Sequence, residues 1–227
     1  MALQYLSLTN DVLQRLNEVP LTSGNFSSAI GVYADVKNAV NSALNKVNRQ
    51  AFEWPFNHNT YTETLVVDQV KYPYQNDTKS VSFDTFRLKG SVALNTQSQK
   101  LEVLDYEEYL ERFSDYEVFP EEHHSKPKFV VRNRDLSYTI VPPPDQEYEV
   151  KYEYYSFPED LINWDDETNL PNSFRWTLLE GALYHTFMFR GDIEGAAAAD
   201  KLFREGIENL RTLYINRYEY VRSAIRG

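Results

Sequence analysis

Apolar positions recur at helical spacing near both ends of the chain and at strand spacing between them. Val12, Leu13, Leu16 and Val19 share one face of a short helix that Thr9 or Asn10 can cap and Pro20 stops. After the turn signal Ser23-Gly24-Asn25, the residues Val36, Val40, Ala43, Leu44, Val47 and Ala51 repeat at three- and four-residue steps. Lys37, Asn41, Asn45 and Asn48 then face out, and the helix ends before Pro55 because a residue preceding proline avoids helical geometry. From Asn57 the period becomes two. Thr60, Thr62 and Thr64 alternate with Tyr61, Glu63 and Leu65, and strands are predicted over 80–89, 128–132, 137–141 and 147–155. Residues 72–77 read as a turn, and Pro142-Pro143-Pro144-Asp145 as a connector. In the last strand Tyr148, Val150, Tyr152 and Tyr154 form one face, expected to pack against helices, and Glu149, Lys151 and Glu153 form the other.

A short acidic helix interrupts the strands. Asp105 and Glu108 fit a capping box ahead of Tyr109, Leu110 and Phe113. Helical spacing returns after Pro171-Asn172-Ser173 with Phe174, Leu178, Leu179, Ala182, Leu183 and Thr186. Gly191 breaks the chain and Asp192 is placed to cap a long last helix, whose stripe runs Phe203, Ile207, Leu210, Tyr214, Val221, Ile225. The fold class expected is α+β. Residues 1–56 and 157–227 form a discontinuous helical bundle, because each helix has only one apolar stripe and needs the others. Residues 57–156 form a mainly antiparallel sheet or barrel-like module.

Composition narrows the function. The chain has 227 residues, a net charge of −11 and no Cys, which removes disulfide scaffolds, Cys-ligated zinc and a Cys nucleophile. No apolar run reaches the ~18–20 residues of a membrane span, and no basic segment precedes an apolar signal core, so a soluble protein made in the cytoplasm is expected. The negative charge argues against nonspecific affinity for nucleic acid or anionic membranes. It is unevenly spread: residues 102–124 hold nine acids and one Arg, a local −8, whereas 201–227 sum to +3. Aromatic content of 15%, with 17 Tyr, hints at interfaces.

Catalytic signatures are weak. Asp165-Asp166-Glu167 and Glu121-Glu122 are the acidic pairs a glycosidase would draw on, but sequence adjacency does not place two carboxylates across a bond. Glu121-Glu122-His123-His124 contains metal-ligating types, yet neighbouring side chains in an extended loop diverge. Neither a Gly-x-Ser-x-Gly nor a phosphate-cradling Gly-rich loop nor a His-Glu-x-x-His occurs. No cofactor, metal or catalytic residue is therefore expected. The end of the last helix stands out instead, with Tyr214, Arg217, Tyr218, Val221, Arg222, Ile225 and Arg226 combining an apolar stripe with cations near a helix C-terminus. From about residue 213 onward it is expected to extend past the bundle and dock into another protein.

Two stretches carry a family resemblance. The run Arg49-Gln50-Ala51-Phe52-Glu53-Trp54-Pro55-Phe56-Asn57, followed by a Thr-rich strand and Tyr72-Pro73, resembles the head-to-tail adaptor (tail tubular protein A) family of T7-like short-tailed bacteriophages. Val141-Pro142-Pro143-Pro144-Asp145, the Tyr-rich strand, Leu170-Pro171-Asn172-Ser173-Phe174, Gly181-Ala182 and Gly191-Asp192 follow in an order similar to that of phage adaptor and head-completion proteins. The match spans about 9–210 and is thinnest over 75–135. The resemblance implies a structural virion protein, not an enzyme: a homo-oligomeric ring, commonly a dodecamer, at the head–tail junction between the portal and the tail nozzle. It implies that the C-terminal segment meets the portal and that genomic DNA passes through during ejection without specific binding. Glu107, Glu108 and Glu111 would belong to an acidic surface lining that passage. The alternative is a tail-associated component that binds or hydrolyses glycans through the acidic and Tyr-rich surfaces.

Overall fold

The computed structural model describes residues 3–90 and 97–215, and it is α+β. The chain divides into two units, one of Met1–Asn57 with Phe157–Gly227 and one of His58–Ser156.

In the first unit α1 spans Tyr5–Arg15, so it begins before the expected caps. Thr9 is buried inside the helix, and Asn10 instead holds Leu21: its amide donates to the Leu21 carbonyl at 2.9 Å and its oxygen accepts the Leu21 N–H at 2.7 Å. The first-turn donors, which a helix leaves without internal partners, are met from far along the chain. Tyr5 N–H reaches the Asp166 carbonyl at 2.9 Å and Leu6 N–H that of Trp164 at 3.1 Å. The helix stops at Arg15, Asn17 takes a left-handed φ of 57°, and Val19 is left 71% exposed instead of joining the stripe.

The second helix, α2 (Val32–Asn48), keeps its predicted stripe except for Ala51, which lies beyond its end and is exposed. The polar positions expected to face water act as ties. Lys37 donates to the Phe26 carbonyl at 2.9 Å, and Asn41 and Asn45 hold residues 160–161. Asn48 is fully buried, donating to the Leu44 carbonyl and accepting from Asn57 at 2.8 Å.

Helices α5 (Arg175–Arg190) and α6 (Ile193–Tyr214) form a hairpin turned by Gly191 at φ 76°, and the Asp192 carboxylate accepts the Gly195 N–H at 2.9 Å as expected. A Cβ at Gly181 would lie 2.7 Å from the Phe203 ring and 2.9 Å from the Ala43 Cβ, so the missing side chain lets α2, α5 and α6 meet. Trp54 fills the base of this unit. It is 0% exposed, stacks on Phe56 at 5.3 Å, meets Phe52 and Phe174 edge-on, and donates its indole N–H to the Val47 carbonyl at 2.9 Å.

Among the described residues, the second unit holds two four-stranded sheets and no closed barrel. The first has the order β1 (His58–Leu65), β8 (Tyr148–Ser156), β3 (Thr78–Leu88), β4 (Gln99–Lys100). The second has β2 (Lys71–Pro73), β7 (Ser137–Val141), β6 (Phe129–Arg132), β5 (Glu102–Leu104). All pairs are antiparallel except β5–β6. The turn expected over 72–77 is shorter: Lys71–Pro73 is a strand paired with Ser137, Tyr138 and Thr139, and the turn falls at Asn76-Asp77. The Tyr-rich face of β8 does alternate into a core, but that core lies between the two sheets, not under helices. Tyr152 and Phe86 stack at 4.5 Å, and Tyr138 of the facing sheet meets both, at 5.6 Å and 5.0 Å. Between Leu104 and Val131 of this unit the chain forms α3 (Tyr106–Phe113) and α4 (Pro120–His123). Leu104, Val131 and Val141 form a small apolar cluster with Tyr109 of α3.

Candidate interaction surfaces

At the end of α6 the chain still belongs to the first unit. Tyr214 is half-buried: its ring lies 5.6 Å from that of Phe174 and 6.3 Å from that of Phe56, and its hydroxyl pairs with Ser173 Oγ at 2.6 Å. One turn earlier the Arg211 guanidinium sits over Phe52 at 4.9 Å. The bundle therefore reaches further along this helix than its sequence suggested, and the ring of Tyr214 is spent inside the chain. Leu213, on another face, is 74% exposed. Arg217, Tyr218, Val221, Arg222, Ile225 and Arg226 lie outside the described residues.

The acidic segment is a surface. Its nine acids are all exposed or half-buried, as expected from the cost of several kcal/mol per unpaired buried charge. Asp105 caps α3 by accepting the Glu107 N–H at 3.3 Å. The return half of the capping box is missing, because Glu108 pairs with Arg112 on the next turn. Glu107 and Glu111, four residues apart, lie on one side of α3. Glu107 meets Arg134 at 2.6 Å, and Arg134 in turn covers the Tyr106 ring at 5.2 Å. Tyr109 points inward and donates to Glu117 at 2.7 Å. Both ion pairs of α3 are solvated, so they trim the local negative field only weakly.

The other sequence candidates are separated or occupied. Asp166 accepts the backbone N–H groups of Ile162 and Asn163 at 2.6 Å and 2.7 Å, and these bonds hold its carboxyl below the usual range, the wrong direction for a general acid. His124 turns to Asp68 at 2.7 Å while His123 stacks on Tyr116 at 4.3 Å, and among the described residues no group of three or more His, Asp and Glu gathers as for a metal. Tyr148, Tyr152 and Tyr154 are buried, so the Tyr-rich face offers no open platform for a sugar. Seven of the 15 Tyr among the described residues are buried, and much of their aromatic surface goes into packing within the chain.

One titratable group was missed. Glu63 of β1 is half-buried and accepts the hydroxyl of Tyr138. Burial pushes its carboxyl above the ordinary range, against the opposing effect of that bond. The folded chain then holds the proton more tightly than the unfolded one, so this group's contribution falls as pH rises through the raised value. Glu63→Gln is expected to remove that loss. Melting temperatures from about pH 4 to about pH 7 should favour the variant increasingly as pH rises, and parallel curves for the two proteins would count against it.

A cleft of 470 Å³ between α1 and α5 was also missed. Asp11, Gln14, Arg15, Arg175, Trp176 and Leu179 line it. Trp176 is 65% exposed, Arg15 covers its ring at 5.4 Å, and Arg175 is held by Asp11 at 2.7 Å and Ser7 at 3.1 Å. Its trace in the sequence is a Trp placed off the apolar stripe of α5.

Among the described residues no helix is long and apolar enough to cross a membrane. Compared with known families, residues 3–225 match the SU10 adaptor protein family. The matched span takes in both units and continues past the last described residue. None of the curated proteins compared matches the chain.

Proposed function

Starting from the chain's membership of the SU10 adaptor protein family, a phage structural adaptor family, we propose that it is a ring-forming head-to-tail adaptor of the virion. In this reading identical subunits, commonly twelve, join the portal to the tail nozzle and surround part of the DNA passage. The observation that carries it is the family match over both units, 3–225, to which the structure adds an acidic segment whose nine carboxylates are all exposed or half-buried. An adaptor of this kind works by surfaces and needs no reacting group, so we read the chain as a structural protein and not an enzyme. Negative-stain images of the purified protein, alone and mixed with its portal, test the reading. Rings or capped portals are expected; a monomer that ignores the portal would sink it.

We place Glu107, Glu108 and Glu111 on the wall of the passage. Fixed negative charge there repels phosphate and lets DNA slide, whereas cations would release counterions from it and bind. Replacing all three by Lys should leave the fold intact, since the pairs with Arg134 and Arg112 are exposed and worth at most about 1 kcal/mol each. Assembled particles carrying the triple variant should release DNA more slowly, more so at low salt. Unchanged ejection kinetics would assign this segment to an outer surface.

A further inference from the structure

Building on the ring reading, we infer that the Arg15–Trp176 cleft is a subunit contact, occupied by the acidic shoulder at 159–162 of a second copy of this chain. Two features of the first unit are complementary. The cleft offers a flat exposed aromatic, and its Arg15 has no ion pair among the described residues. The shoulder offers Glu159 and Asp160, both exposed, beside Ile162, which is 75% exposed. An exposed Trp under an Arg suits an apolar side chain flanked by carboxylates, because the ring takes the apolar contact while the guanidinium takes the charge.

Their placement favours a head-to-tail contact over a contact within one chain. Ala43 faces Gly181 across the α2–α5 contact. Asn41 and Asn45, two positions either side of Ala43, therefore point away from α5, and they hold the shoulder. Asn41 donates to the Leu161 carbonyl at 2.9 Å and accepts the Leu161 N–H at 3.1 Å, and Asn45 donates to Asp160 at 2.8 Å. Trp176 and Leu179, five and two positions before Gly181, likewise turn away from α2. The shoulder and the cleft thus lie on different faces of the α2–α5 pair, the chain that follows the shoulder meeting the first turn of α1 and the cleft lying along its last turns. A patch and its complement on different faces of one subunit make a heterologous contact, the kind that closes into a ring when the rotation allows.

Charge exchange between the faces tests this. The cleft variant is Gln14→Glu with Arg15→Glu; the shoulder variant is Glu159→Lys with Asp160→Lys. All four positions are solvent-facing, so circular dichroism melts should report folded proteins. In sedimentation of the full chain, alone or on its portal, each variant should associate at least about tenfold more weakly than the wild type, since like charges then meet. An equimolar mixture should recover association, because every contact in an alternating ring pairs opposite signs. Wild-type rings together with unimpaired variants, or a mixture that does not recover, would overturn this contact and leave the ring standing. A wild type that stays monomeric with and without portal would overturn both.

Discussion

Trp54→Ala is expected to cost the helical unit about 3–5 kcal/mol, the range for removing a fully buried aromatic side chain. Trp54 has no exposed surface and touches Phe52, Phe56 and Phe174, so truncation leaves a hole bounded by three rings that cannot all close on it. It also strips the Val47 carbonyl of its indole donor at a buried position. For a unit of this size the loss corresponds to a fall in melting temperature on the order of 10–20 °C. Trp54→Phe separates the two effects. It keeps most of the ring volume and loses the donor, so a drop of roughly 1–3 kcal/mol is expected, less than for Ala. The stretch around Trp54 is one that resembles phage adaptors, and its packing gives a physical reason for those residue types. Asn57 is bonded to Asn48 on one side and to Asn169 at 2.5 Å on the other, which ties the end of α2 to the chain leading into α5. Equal melting of Trp54→Ala and wild type would mean that this packing does not hold the unit together.

What was legible in the sequence follows the reach of the interactions. Alternation along 148–154 depends only on the strand's own period, and the buried and exposed faces came out as read. Which layer covers the buried face was not legible, because a sheet and a helix both need one apolar side. The Gly191–Asp192 break is local chemistry and was placed correctly. The start of α1 was not, because its first N–H groups are satisfied by carbonyls near residue 165, which no local cap signal encodes. Exposure of the acids in 102–124 was forced by charge, whereas the pairing of Glu107 with Arg134 needed the fold to bring them together. The cleft was invisible for a similar reason: Arg15 and Trp176 are ordinary surface residues until α1 and α5 lie side by side.

Truncation at the C-terminus should separate folding from docking. A chain ending at Ile215 keeps the half-buried ring of Tyr214 on Phe174 and Phe56 and its bond to Ser173, so its stability should lie within about 0.5 kcal/mol of the full chain. A chain ending at Thr212 loses that ring as well and should melt lower, by roughly 1–2 kcal/mol. Portal binding should vanish in both, because we assign docking to Arg217, Tyr218, Val221, Arg222, Ile225 and Arg226. Three Arg in an otherwise acidic chain suit a carboxylate- or carbonyl-lined groove between portal subunits, where bidentate contacts fix orientation while Tyr218 and Val221 fill space. The family match running to residue 225 supports treating these positions as part of the adaptor module. Binding is read by co-sedimentation with portal and by the count of filled heads that lack tails. Normal portal binding by the chain ending at Ile215 would move docking elsewhere, and its unfolding would mean that the last residues serve the subunit's own core.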